Sequence, residues 1–192
     1  MESIKLENNK KNIIGSRIIF YDELDSTQEE AKRKLEDVRD GTIIITDNQL
    51  YGRGTHGRIW YTEKGSNITM SIILFPNINI NSLKNITIDI AKVIVNTIND
   101  LYDYKLDISY PNDIVLNNKK VGGILTNIST QGNIAKNIII GIGLNINQVK
   151  FPNELSNIAT SLKKEYGEEL NREKIIEKIC INLDNLYKKI KK

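Results

Sequence analysis

Asp47-Asn-Gln-Leu-Tyr-Gly-Arg-Gly-Thr-His-Gly-Arg-Ile-Trp-Tyr61 gathers three glycines, two arginines, the only histidine and the only tryptophan of a 192-residue chain. A β-branched run, Thr42-Ile-Ile-Ile-Thr46, precedes it and a second strand-like run over residues 67–75 follows, so the glycines join two strands. Gly52-x-Gly54-x-x-Gly57 matches the dinucleotide fingerprint in its letters, but that fingerprint works only where the last glycine opens a helix that receives a pyrophosphate. Arg58-Ile-Trp-Tyr-Thr-Glu-Lys-Gly65 carries no helical period, which excludes that reading, and no Gly-Lys-Ser/Thr closes a P-loop. What remains is a glycine loop whose backbone can come close to an anion, with Arg53 and Arg58 able to fork onto phosphate or carboxylate oxygens. A solvated basic hairpin is the plain alternative.

The length suits one domain over residues 1–192 that buries its own core, with 1–16 as an N-terminal extension and 171–192 as a terminal helix with a basic tail. A net charge of +3 is too small to argue for nucleic acid, and the lone Cys180 forms no internal disulfide. No apolar run has the ~18 residues of a membrane span, and the first ten residues lack a signal-peptide core. The expectation is a soluble, cytoplasmic protein.

In chain order, residues 17–21 read as a strand. A helix is expected from Ser26 to about Val38, with Ser26 and Glu29 as a capping box and Ala31, Leu35 and Val38 on one stripe. Hydroxyls at such an N-terminus can also receive a polar ligand. Leu83, Ile86, Ile90, Val93, Ile94, Ile98 and Leu101 repeat at three and four, which predicts a helix over 81–102. Short strands at 106–109 and 113–116 flank Tyr110-Pro111-Asn112, where proline forces a bend presenting Asn112 and Asp113. Asn117-Asn118 fits a two-residue hairpin turn into a strand over 119–128, and a further apolar strand covers 137–147. Gly122-Gly123 and Gly141-x-Gly143 weaken these strands unless something lies close to the backbone, so a ligand across the sheet is expected. Asn171 caps a last helix to about Ile190, with Cys180 as a small core residue.

Asp25-Ser-Thr, Gln49-Leu-Tyr-Gly-Arg-Gly-Thr-His-Gly-Arg-Ile-Trp60, Tyr110-Pro-Asn-Asp113, Lys120-Val-Gly-Gly-Ile-Leu125 and Gly141-Ile-Gly-Leu-Asn145, with Ala159-Thr-Ser-Leu162, resemble the ordered motifs of biotin-protein ligases over roughly residues 17–190. The resemblance implies an α+β fold, a mixed β-sheet backed by helices, like the catalytic core of class II aminoacyl-tRNA synthetases and lipoate ligases. It implies ATP and Mg²⁺ as cofactors, biotinyl-5'-AMP as intermediate, and a lysine of a biotin carboxyl carrier domain as acceptor. Neither step needs a protein nucleophile, so positioning and charge neutralisation would do the work.

Carried onto this chain, the resemblance makes Lys120 and Arg53 the catalytic groups. Biotin would be held by Ser26, Thr27, Gln28, Gln49, Arg53, Gly54, Thr55, Lys120, Gly122 and Gly123. ATP would be held by Arg58, Trp60, Asn112 and Asn145, with Asp113 on Mg²⁺. The family usually has arginine where Thr55 stands and lysine where Ser109 stands, so the adenylate is expected to be retained less well here. Neither the N-terminal winged helix nor the C-terminal barrel of the family is matched, so DNA binding is not expected. A homodimer through a sheet edge remains open. The alternatives are a biotin or biotinyl-AMP binder that has lost ligation, and a lipoate ligase-like enzyme.

Overall fold

The computed structural model describes residues 12–191; the first eleven residues of the N-terminal extension and Lys192 of the basic tail lie outside the described residues. The β-branched runs form the strands β1 (Arg17–Tyr21) and β2 (Thr42–Thr46), which pair in parallel, and β5 (Ile68–Leu74), which runs antiparallel to β2. Between β2 and β5 the glycine stretch folds into a two-stranded ribbon, β3 (Gly52–Arg53) and β4 (Ile59–Trp60), around a 3₁₀ turn over Thr55–Gly57. After the short β6 (Ile78–Asn79) come β7 (Asp107–Ser109), β8 (Asp113–Leu116), β9 (Lys119–Gln131) and β10 (Ile134–Leu144). The large sheet runs β1-β2-β5-β10-β9-β8-β7, with β6 beside β10. The expected hairpin turn forms: Asn117 and Asn118 take φ of 51° and 62°, the left-handed pair that matches strand twist.

The helices α2 (Ile86–Tyr102) and α4 (Arg172–Ile190) cover one face of the sheet, where Ile68, Met70, Ile72, Ile138, Ile140, Ile142 and Leu144 meet Ile94, Ile98, Ile176 and Leu183 in one core. On the other face α1 (Thr27–Arg33) sets Ala31 against Ile44, Ile73 and Ile139. A short α3 (Leu162–Tyr166) precedes α4, whose Asn171 side chain caps it by accepting from the Lys174 amide at 2.8 Å. Burial pushes the Cys180 thiol up to about 12, so it stays a neutral core group.

Two expectations change. The first helix ends at Arg33, not near Val38; a turn carries the stripe onward, and Leu35 and Val38 still pack with Ala31. Its capping box does not form, because Asp25 Oδ1 takes the Ser26 amide at 2.7 Å and Glu29 pairs with Lys32 at 2.9 Å. The second helix begins at Ile86, preceded by a 3₁₀ turn over Ile80–Leu83 that buries Leu83. Among the described residues no helix is long and apolar enough to cross a membrane.

Leu183 joins α4 to the core and is 2% exposed. Leu183→Ala is expected to cost about 2–5 kcal/mol, read as a lowered midpoint in urea denaturation.

Candidate functional site

Alternation decides what lies on the open face. In β5 the polar Thr69 and Ser71 interleave with Ile68, Met70 and Ile72, and register sets Thr69 opposite Gly143 and Ser71 opposite Gly141. Gly143 in turn lies opposite Gly123, and Gly141 opposite Leu125. This row floors a cavity of about 190 Å³, walled by the start of α1, the glycine ribbon and a loop carrying Phe151, Leu155 and Ile158.

The glycines serve side chains of the chain itself. A Cβ on Gly141 would lie 2.6 Å from Gln28 Oε1, and one on Gly143 would lie 2.5 Å from Trp60 Cε2. Gly123 is edged by the Trp60 ring and by the Lys120 chain, each 3.3–3.4 Å from where a Cβ would stand. Gly122, expected beside the ligand, is not in the lining. A Cβ there would meet Leu144 Cδ2 at 2.5 Å, because adjacent residues of one strand face opposite sides of the sheet.

The start of α1 is locked from beneath. Gln49 Oε1 accepts from the Thr27 amide at 2.9 Å and lies 3.3 Å from Thr27 Oγ1. Since the amide can only donate, the Gln49 Nε2 is left as a donor for whatever enters. Ser71 Oγ sits 3.0 Å from both Thr27 Oγ1 and Gln28 Oε1, and Gln28 Nε2 donates to Asn127 Oδ1 at 2.8 Å. Gln28 therefore braces the floor while Ser26, Thr27 and Gln49 line the cavity. Hydrogen bonding from Arg33 holds Asp25 below the usual carboxylate range, keeping it charged to accept the Ser26 amide.

Arg53, Arg58 and Lys120 line the cavity and no carboxylate does. Arg58 folds back within its own turn, donating to Thr55 O at 3.3 Å and Thr55 Oγ1 at 3.1 Å, while Gly54 N donates to Arg58 O at 2.7 Å. His56 holds a φ of 57° in this turn and is exposed. Lys120 Nζ lies 2.7 Å from Asp113 Oδ1 and 5.5 Å from the centre of the Trp60 ring. Asp113 sits behind Lys120, outside the lining, whereas Asn112 and Asn145 are in it. Asn112 Nδ2 donates to Ile124 O at 3.2 Å, and Asn145 Nδ2 to Thr160 O at 3.1 Å. Ser26 Oγ, Thr69 Oγ1, Trp60 Nε1 and Asn145 Oδ1 are buried with no hydrogen-bond partner, polar atoms concentrated at one place as a ligand site leaves them.

Thr69, Phe151, Leu155 and Ile158 were not expected in the lining. The polar alternation Asn67, Thr69, Ser71 is a readable sign of a second polar face. The stretch over 149–159 carries no period that would have placed it.

With this geometry in hand, the matches to known proteins are specific. The biotin/lipoate A/B protein ligase family matches residues 21–145, and the chain belongs to that family. The bifunctional ligase/repressor BirA of Bacillus subtilis (strain 168) is 36% identical over 182 residues, 93% of this chain and 56% of that protein. BirA of Escherichia coli (strain K12) is 25% identical over 89% of this chain and 54% of its own length. The chain thus spans about half the length of these curated relatives. The biotin protein ligase of Aquifex aeolicus, solved in complex with biotin and ATP, superposes with a TM-score of 0.78 at 27% identity, covering 91% of this chain and 72% of that one.

Gly143→Ala should drive the indole off the floor. Because Trp60 is the only tryptophan, its emission is expected to shift to longer wavelength in steady-state fluorescence; an unchanged spectrum would show that the ring does not rest there.

Proposed function

We propose that the chain adenylates biotin with ATP and hands the biotinyl group to a lysine of a biotin carboxyl carrier domain. The observation that carries this reading is the lining itself, which sets three cations, no carboxylate and a fixed amide donor around a glycine-bearing floor. Such a site favours a ligand with a neutral hydrogen-bonding head, an apolar body and an anionic end. The Aquifex aeolicus ligase, solved with biotin and ATP, supports it.

In this mechanism a carboxylate oxygen of biotin forms a bond to the α-phosphorus and pyrophosphate leaves. The carrier's amine then bonds to the acyl carbon, losing a proton, and AMP leaves. Ser26, Thr27 and Gln49 hold the ureido head, with Gln28 bracing them from below, and Trp60 and Gly123 contribute the wall along the apolar body. Arg53, Lys120 and the amides about Gly54 and Thr55 meet the carboxylate and α-phosphate, and Arg58 the remaining phosphate charge. Asn112 and Asn145 hold the nucleotide. Lys120 acts by exchanging Asp113 for the reacting oxygens, which concentrates a positive charge where negative charge builds in the transition state. Magnesium supplies further charge neutralisation when bound, and the released Asp113 suits it as a single carboxylate partner. Mg²⁺ on a nucleotide takes most of its remaining ligands from phosphate and water.

A second reading, a binder of biotin or its adenylate that does not transfer it, draws on Lys120 already being paired. Intact-mass measurement of an apo carrier domain incubated with the protein, biotin, ATP and Mg²⁺ separates the two. One added biotinyl group is expected; biotin binding without that addition would favour the binder. Lys120→Gln should lower kcat/KM for adenylate formation by roughly a hundredfold or more. Thr55→Arg should slow adenylate release, and an unchanged release rate would remove Thr55 from the account.

A further inference from the structure

Two loops wall the cavity, the glycine loop over 48–64 and the apolar loop over 149–160, and the feet of both end in one buried polar knot. At the first loop, Gly65 N donates to Asp47 O at 2.9 Å. Arg172, at the start of α4, donates through one nitrogen to Asp47 Oδ1 at 2.8 Å on one side and to Asn67 O at 3.1 Å on the other. Asn67 passes the connection on: its Oδ1 accepts from Ile146 N at 3.1 Å, and its Nδ2 donates to Gln148 Oε1. Gln148 opens the second loop, where its Nε2 donates to Lys150 O at 2.8 Å and its carbonyl accepts from Ser161 Oγ at the loop's far foot. Asn147 N donates to Ser66 O at 2.8 Å, and the Asn147 side chain exchanges two bonds with Leu170, next to the cap of α4.

Asn67, Gln148, Ser161 and Arg172 are all at most 6% exposed, so each bond is made away from competing water. Arg172 brings the only charged guanidinium into this knot among the described residues, and its partner is the carboxylate at the first loop's foot. We propose that Arg172 is a positioning residue that couples the two loops, so that opening one loosens the other and both close on a ligand together. It touches neither substrate nor the reacting atoms, and acts only through Asp47 and Asn67. The coupling stands on the geometry alone; only the ligand step of its test rests on the biotin reading.

The test is limited trypsinolysis of the full chain followed by mass spectrometry, timing cleavage after Arg53 and Arg58 in the first loop and after Lys150 in the second. Arg172→Gln and Asp47→Asn are compared with the wild type and with Leu183→Ala, at a temperature where circular dichroism shows all four folded. Coupling predicts that both node variants raise cleavage in both loops, by roughly tenfold or more as expected for losing a charge-assisted bond, while Leu183→Ala leaves the loops near wild type. A rise confined to the first loop, or an equal rise in Leu183→Ala, overturns the proposal. If the node variants prove too unstable, Arg172→Lys, which keeps the charge on Asp47, must raise both rates less than Arg172→Gln does; equal rates count against it. Adding biotin and ATP should protect both loops of the wild type together. Protection of one loop alone overturns the coupling, whereas no protection of either, with the node variants still affecting both, overturns the biotin reading and leaves the coupling standing.

Discussion

The register of β10 against β5 and β9 is the constraint on which the site depends. Because side chains alternate, the pairing of Gly143 with Thr69 on one side and Gly123 on the other fixes which atoms face the cavity. A slip by one residue would turn Ile142 and Ile124 outward and bury the glycines among the helices. The all-isoleucine opposite face prevents that slip, since it would expose a core that α2 and α4 cover. The helix side thereby sets the chemistry of the other side.

On that frame the site is built from polar contacts aimed at its own side chains first. Thr27, Gln49, Ser71 and Gln28 satisfy one another, and what they leave over is one amide donor and a few buried oxygens. The cations come from two different kinds of support. Arg53 and Arg58 ride on a ribbon of two-residue strands, whereas Lys120 rises from a long central hairpin strand and is anchored by Asp113. Charge on a firm strand and charge on a small ribbon suit a site that must both define one reacting position and enclose what reacts there.

Much of this was legible in the residues. The strands over 17–21 and 42–46, the Asn117-Asn118 turn, the Asn171 cap and the core place of Cys180 follow from β-branching, turn chemistry, capping and periodicity, all local properties. The glycine loop could be read because its flanks excluded a helix. What could not be read depends on distant partners. The early end of α1 and its missing capping box follow from Asp25 and Arg33 taking each other and the Ser26 amide. The orientation of Gly122 follows from a register no short window contains, and the roles of Gly141 and Gly143 follow from Gln28 and Trp60, more than eighty residues away in sequence. The loop over 149–159 was silent because its apolar residues meet the cavity singly, without a period.

The bond between Arg172 and Asp47 spans 125 positions of sequence. A chain emerging from the ribosome exposes the glycine loop long before the residue that fastens it. Until α4 is made, the three cations and the apolar side chains around them have nothing holding them in their final arrangement. The binding surface is therefore among the last parts of the molecule to take shape, and a nascent chain could complete most of its sheet while still unable to hold a ligand.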